Sequence, residues 1–238
     1  MNVLAIGAHP DDIELQCAGT LALYARAGHK VFMAVATNGN VGSPTHSREE
    51  IAAIRRKEQE ASCALIGATL IWMDFDDEWL FNDRSTRARF IDAIREANPA
   101  VMIIHGPTDY HPDHRVAGQV AEDARIPASV RLVETTLPHI AKAPHVFYMD
   151  NPTGLGFDPE AYVDITPVMD IKRQMLLSHK SQDAWIRAIY DNASITDILE
   201  KNAALRGAAA GVAFAEGFRE VKTYPRTGSF ALLPGFGA

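Results

Sequence analysis

Four short runs of continuous apolar residues, at 3–6, 31–36, 70–75 and 101–104, alternate along the first half of the chain with longer stretches of helical spacing. A strand buried on one face reads as alternation, whereas a strand buried on both faces reads as an unbroken apolar run. The runs therefore predict parallel strands covered by helices on both sides. Residues 13–27 set apolar side chains at near-helical intervals, with Asp11 and Asp12 suited to the first turn and Gly28 just past the end. Residues 47–66 open on Ser-Arg-Glu-Glu, a capping pattern, and stop at Gly67; residues 85–97 are followed closely by Pro99. Strand and helix repeated in this order predict an α/β fold, a Rossmann-like, doubly wound and mainly parallel sheet. Right-handed crossovers give a core strand order of 3-2-1-4 for these runs, so the sheet reverses direction between strands 1 and 4, where ligands bind in open α/β sheets.

The second half is less regular. Strand-like pieces at 131–135, 146–149 and 162–165 precede a helical region from Pro167 to about Tyr190 and another at 195–205. The Ala-rich stretch 208–213 reads as a tightly packed core helix. No repeat or linker interrupts the 238 residues, and one domain spanning 1–238 is expected.

Composition narrows the class. The chain is 47% hydrophobic with a net charge of −7, and its basic residues are interspersed with acids, so it offers no electrostatic footprint for a nucleic acid. Cys17 and Cys63 have no paired spacing and read as buried thiols. No apolar run approaches the roughly 20 residues that span a bilayer. Residues 1–7 lack a basic leader. A soluble cytoplasmic protein with no membrane partner is the expectation.

Two blocks carry the chemistry. Ala8-His9-Pro10-Asp11-Asp12 follows strand 1, and His111-Pro112-Asp113-His114 follows strand 4. Either block alone would serve as a turn, with Pro at the first helical position and Asp accepting free backbone N–H groups. Two such blocks at matching strand ends flank one crevice, and His9, Asp12 and His114 form the three-ligand inventory of a catalytic zinc site. Iron or manganese would suit the same donors. Asp11, next to a ligand but aimed elsewhere, is the candidate general base. His111 is the candidate oxyanion stabiliser or general acid, with Asp113 expected to hold its other ring nitrogen and keep it cationic. His105, ending strand 4, is expected to support the loop. The first strand-to-helix turn lacks Gly-x-Gly-x-x-Gly, so no dinucleotide cofactor is expected.

The two blocks resemble the signature motifs of the LmbE/PIG-L zinc-dependent N-deacetylases, and the chain is most similar in pattern to the bacillithiol-pathway N-acetylglucosaminyl-malate deacetylases. Arg56-Lys57-Glu58, Phe75-Asp76-Asp77, Val163-Asp164-Ile165-Thr166, Ser181-Gln182 and Ala215-Glu216-Gly217-Phe218 resemble secondary motifs of the family in the expected order. Ile13 departs from the acidic residue that many members carry there. The resemblance implies zinc on His9, Asp12 and His114, Asp11 as base, His111 on the oxyanion, and removal of an acetyl group from an N-acetylglucosamine-type sugar. It also implies a pocket-facing arginine at Arg56, a frequent homo-oligomeric state and a small-molecule amino-sugar partner. His179 is expected at the pocket mouth, or capping the preceding helix. Two alternatives stay open at this stage: an amidase on thiol conjugates of an amino sugar, and a non-catalytic sugar or nucleotide binding domain of the same fold.

Overall fold

The structure, a computed structural model, describes residues 1–189, 194–224 and 230–235. Strands β1 (Asn2–Gly7), β2 (Lys30–Thr37), β3 (Thr69–Phe75) and β4 (Val101–His105) are the four apolar runs. They are joined by helices α1 (Asp12–Gln16), α2 (Ala18–Arg26), α3 (Arg48–Ile66) and α4 (Arg84–Ala97), and α5 (Pro112–Arg125) follows β4. The later elements are β5 (His145–Met149), β6 (Ala161–Asp164), α6 (Met169–Leu177), α7 (Lys180–Ile189), α8 (Ile195–Ala210) and β7 (Ala215–Glu220). The sheet order is β3-β2-β1-β4-β5-β7-β6, parallel through β5 and antiparallel where β7 meets β5 and β6. The predicted core order is thus present.

Alternation along each strand divides the core. Val3, Ala5, Val31, Met33, Val101 and Ile103 enter one apolar cluster, which holds residues of α2, α6 and α8. Leu4, Ile6, Ala34, Met102 and Ile104 enter the other, packed on α4 and α5. Successive side chains point to opposite faces, so a strand between two helical layers must be apolar throughout.

Several expectations need correction. The helix expected over 13–27 is two, broken at Cys17, because the N-terminus of α2 is satisfied from the core: Glu216 of β7 accepts from the Gly19 and Thr20 N–H groups while Lys172 of α6 neutralises it. Residues 131–135 form no strand; their polar groups go to α4 instead. Asp92 accepts from Thr135 Oγ1, Thr136 N–H and Leu137 N–H, and the Arg95 guanidinium donates to the Val130, Val133 and Leu137 carbonyls. The helical region from Pro167 divides into a short turn, α6 and α7 around Ser178-His179, and Tyr190 lies outside the described residues. The Ala-rich stretch is no core helix: α8 ends at Ala210, Gly211 turns left-handed with φ 75°, and Ala208 and Ala209 are exposed. Both cysteines are free and buried. Among the described residues, no helix is long and apolar enough to cross a membrane.

Candidate metal centre

β1 and β4 lie side by side and parallel, Ile6 opposite Ile104, so the turn after Gly7 and the loop after His105 leave the sheet together. A Cβ on Gly7 would come within 3.1 Å of the Asp12 Cβ, and its absence lets the turn fold close. Asp12 Oδ2 accepts from the His9 N–H at 2.7 Å. Asp11, between them, has φ 111° and ψ −22°, a backbone conformation that non-glycine residues rarely adopt and that the surrounding contacts must hold. On the other loop His111 caps α5, its Nδ1 accepting from the Asp113 N–H at 3.2 Å, with Pro112 in the first turn.

Three side chains converge where the two segments meet, Asp12 presenting one oxygen to each histidine. His114 Nε2 lies 3.2 Å from His9 Nδ1 and 3.1 Å from Asp12 Oδ1, and His9 Nδ1 lies 3.5 Å from Asp12 Oδ2. Zinc bonds of roughly 2.0 Å in tetrahedral geometry put ligands about 3.3 Å apart. The spacing of the triangle fits such an ion. The outward ring nitrogens face carboxylates: His114 Nδ1 is hydrogen-bonded to Asp109 Oδ1 at 2.9 Å, and His9 Nε2 lies 3.0 Å from Asp77 Oδ1 and 3.4 Å from Asp113 Oδ2 as an ion-pair contact. Carboxylate-supported imidazoles are the usual outer layer of a metal site. His105 stacks on His114 with centroids 4.2 Å apart, accepts the Ala8 N–H at Nε2, and sits 3.2 Å from Asp12 Oδ2.

The electrostatics of the cluster favour positive charge. Burial alone would lower the His114 pKa, but the Asp12 charge and the Asp109 hydrogen bond outweigh it and push the value up to about 9. His9 is likewise raised against burial, by Asp113, Asp12 and Asp77. Burial acts to raise Asp12, yet His114 and His105 hold it well below the usual carboxylate range. A divalent cation in the triangle would replace the protons that these carboxylates attract. Asp11 behaves differently: burial raises it to about 6, with Arg55 opposing. A carboxylate with that value is suited to general-base work near neutrality.

The expected residues fall into place unequally. His9, Asp12, His114, Asp11 and His111 gather at one point. The Asp113 carboxylate does not hold His111; it accepts the Glu78 N–H at 2.8 Å and faces His9, and only the Asp113 backbone reaches the His111 ring. With Nδ1 accepting, a neutral His111 carries its proton on Nε2, and burial together with His9 and His114 lowers its pKa, so the expectation of a cationic ring is corrected. Nε2 lies 3.3 Å from Glu78 Oε1. Arg56 is exposed, pairs with Glu60 at 3.2 Å and lies over Trp72. Its neighbour Arg55 is the buried one, donating to the Pro10 carbonyl at 2.6 Å and standing 3.6 Å from Asp11 Oδ2 and 3.9 Å from Asp77 Oδ2. His179 is not at a pocket mouth: it is fully buried, 3.3 Å from Glu14 Oε1.

Sequence reasoning missed Arg55, Asp77 and Asp109 as site residues. The signal for Arg55 was helical phase, since it shares the buried stripe of Ile51, Gln59, Ser62 and Cys63 on α3, whereas Arg56 is one residue out of register. Asp77 follows β3, at the same sheet edge as the two blocks. Asp109 carries no spacing signal.

Residues 4–125 match the family model described as PIG-L, GlcNAc-PI de-N-acetylase. Diacetylchitobiose deacetylase of Thermococcus kodakarensis is 30% identical over 199 residues, covering 77% of this chain and 72% of the relative. The solved N,N'-diacetylchitobiose deacetylase of Pyrococcus horikoshii, in complex with an inhibitor, gives a TM-score of 0.80 at 27% identity over 97% of this chain and 88% of that one. The 4-oxalmesaconate hydratase of Pseudomonas putida is also similar, 26% identical over 180 residues, 72% of this chain and 70% of the relative. The chain belongs to the PIG-L family of de-N-acetylases.

Proposed function

We propose that this protein is a zinc-dependent hydrolase that removes the N-acetyl group from an N-acetylglucosamine-type sugar or glycoside. The observation that carries the reading is the approach of His114 Nε2 to His9 Nδ1 at 3.2 Å and to Asp12 Oδ1 at 3.1 Å, with His9 Nδ1 3.5 Å from Asp12 Oδ2 and a separate carboxylate, Asp11, beside them. Support also comes from the relatives named as diacetylchitobiose deacetylases. His9, Asp12 and His114 would hold the ion, which supplies a Lewis acid for water and for the acyl oxygen when bound.

The chain's own residues then divide the proton work. Asp11, raised by burial, takes a proton from the attacking water as the carbon–oxygen bond forms. His111 is neutral, and its Nε2–H donates to the oxyanion that develops on the former acyl oxygen. The proton on Asp11 passes to the sugar nitrogen as the carbon–nitrogen bond breaks, so acetic acid and a free amine leave, the acid then losing its proton to solvent. Asp113 and Asp77 fix His9, and Asp109 fixes His114; these positioning roles replace the one first expected of Asp113.

The test is primary-amine release from N-acetylglucosamine, N,N'-diacetylchitobiose and a thiol-conjugated amino-sugar amide, with zinc-loaded and chelated protein side by side. Zinc-dependent release from an acetylated sugar is expected. Release from the thiol conjugate alone would transfer the activity to an amidase. No release from any, with hydration of 4-oxalmesaconate, would assign the chain to the chemistry named for its hydratase relative.

A further inference from the structure

Four residues other than glycine have positive φ among the described residues, Asp11, Asp74, Glu78 and Asn98, and of these only Glu78 is neither Asp nor Asn. Short carboxylate and amide side chains tolerate the left-handed region by bonding to nearby backbone, an aid that the longer glutamate does not give. Glu78 holds φ 69° at the third position of a turn, which the Trp79 N–H closes onto the Asp76 carbonyl at 3.3 Å. Glycine is favoured at such a position because it has no Cβ to strain. A glutamate there is strained, and its surroundings must hold it.

Two polar contacts run from Glu78 to one block of the chain. Its N–H donates to Asp113 Oδ2 at 2.8 Å, and its Oε1 stands 3.3 Å from His111 Nε2. The Asp113 N–H in turn donates to His111 Nδ1 at 3.2 Å. The His111 imidazole is thus met at both nitrogens, at Nδ1 by the first turn of α5 and at Nε2 by the turn after β3. With Nδ1 accepting, the ring proton lies on Nε2, the nitrogen that faces the carboxylate. Without that carboxylate, the 3.2 Å bond at Nδ1 would be left to set the angle of the ring. The contact is also a yielding one. Hydrogen bonds to a carboxylate are usually about 2.7 to 2.9 Å long, whereas this separation is 3.3 Å and the Glu78 side chain is 51% exposed. Such a contact steers the N–H and can release it to a closer acceptor.

Resting on the oxyanion role given to His111 above, we propose that Glu78 is a positioning residue for that histidine. It fixes the imidazole plane in the resting protein, and the Nε2–H passes from the carboxylate to the oxyanion as the oxyanion forms. The left-handed turn is what brings the residue's N–H to Asp113 and its carboxylate to His111 together. Glu78 enters the reaction only through His111, so its loss falls on kcat and leaves KM.

The experiment compares zinc-loaded wild type, Glu78→Gly and Glu78→Gln by three readouts: thermal melting, deacetylation of N-acetylglucosamine and N,N'-diacetylchitobiose, and the imidazole N–H signals in proton NMR. The His111 signal is identified by its absence from His111→Ala. Glycine relieves the strain and keeps the N–H that Asp113 accepts, so Glu78→Gly should melt no lower than wild type while kcat falls about three- to tenfold at unchanged KM. Its His111 Nε2–H signal should broaden or vanish through exchange with water. Glu78→Gln keeps an acceptor oxygen at the same reach and should recover both kcat and the signal. In a His111→Ala background, Glu78→Gly should not alter the residual rate. Activity lost together with stability would assign the turn a purely structural role and overturn the proposal. So would wild-type kcat in Glu78→Gly, a change confined to KM, or a glutamine that recovers neither readout. A His111 signal that depends on Glu78, in protein that releases amine from no sugar, would uphold the hold on the ring and sink the deacetylase reading.

Discussion

Asp109 Oδ1 accepts from His114 Nδ1 at 2.9 Å, and this leaves the opposite ring nitrogen of His114 aimed at His9 and Asp12. The carboxylate therefore sets both the tautomer and the direction of the proposed ligand while making no contact with the metal position itself. Replacing Asp109 with Asn keeps the shape but removes the charge that supports the imidazole. Asp109→Asn should weaken zinc binding by about 10- to 100-fold. Competition with a fluorescent chelator would read this directly, and zinc-saturated variant should recover most of its turnover. Wild-type zinc affinity in the variant would show that Asp109 does not support a metal ligand.

Asp11 is the titrating group whose position predicts a pH profile. Its folded pKa, about 6, is raised by burial, and a nearby cation can only favour the carboxylate and bring it lower. A general base works when deprotonated, so kcat/KM should fall as pH drops through an acid limb centred at or below about 6. Asp11→Asn should keep its metal and lose turnover by about 100-fold or more, with that limb gone from the residual rate. Full activity in Asp11→Asn would remove it from the proposed mechanism.

How much of this was legible depended on which neighbours satisfy each residue. β1, β2 and β4 could be read because a strand covered on both faces has little choice but to be apolar, and β3, at the sheet edge, still buries Ile71 and Met73. β7 could not, because Glu216 interrupts its pattern and is tolerated only through Lys172, a residue of α6 far away in sequence. The alternation at 131–135 looked like a strand, but Asp92 and Arg95 take the polar groups that a neighbouring strand would have used. The meeting of His9, Asp12 and His114 was readable from two short blocks, since the topology that joins β1 to β4 follows from chain order. Its carboxylate supports were not, because Asp77 and Asp109 act on side chains whose orientation no spacing specifies.

Arg55 and Arg56, adjacent in sequence, should respond oppositely to truncation. Arg55 is buried, its guanidinium bonded to the Pro10 carbonyl and lying beside Asp11 and Asp77, so Arg55→Ala strands a carbonyl and two acids together. A loss of about 3 kcal/mol or more in urea unfolding is expected, as for other buried charges deprived of a partner. Arg56 is exposed and its pair with Glu60 is screened by solvent, so Arg56→Ala should lie within about 0.5 kcal/mol of wild type. Equal effects would mean that helical phase on α3 does not decide which arginine supports the site.

Lys172 and Glu216 make the sharpest case for a structural charge. Both are buried, and Glu216 accepts two N–H groups at the start of α2, so the helix begins on a carboxylate that Lys172 keeps neutralised. Gly19 is required at this contact, since a Cβ there would come within 2.7 Å of Ile165 and 2.9 Å of Glu216. Lys172→Met leaves Glu216 charged, buried and without its cation, which should cost about 3 to 5 kcal/mol. The double variant Lys172→Met, Glu216→Gln removes both charges while the glutamine oxygen still accepts at the helix N-terminus, and it should recover a large part of that loss. The comparison by denaturant unfolding isolates the pair from the packing of either side chain. Because α2 directly follows α1, which carries Asp12, the single variant should also bind zinc less tightly, and the double variant should restore it. A Lys172→Met protein as stable as wild type would show that the break at Cys17 is set by local sequence and not by the carboxylate beneath it.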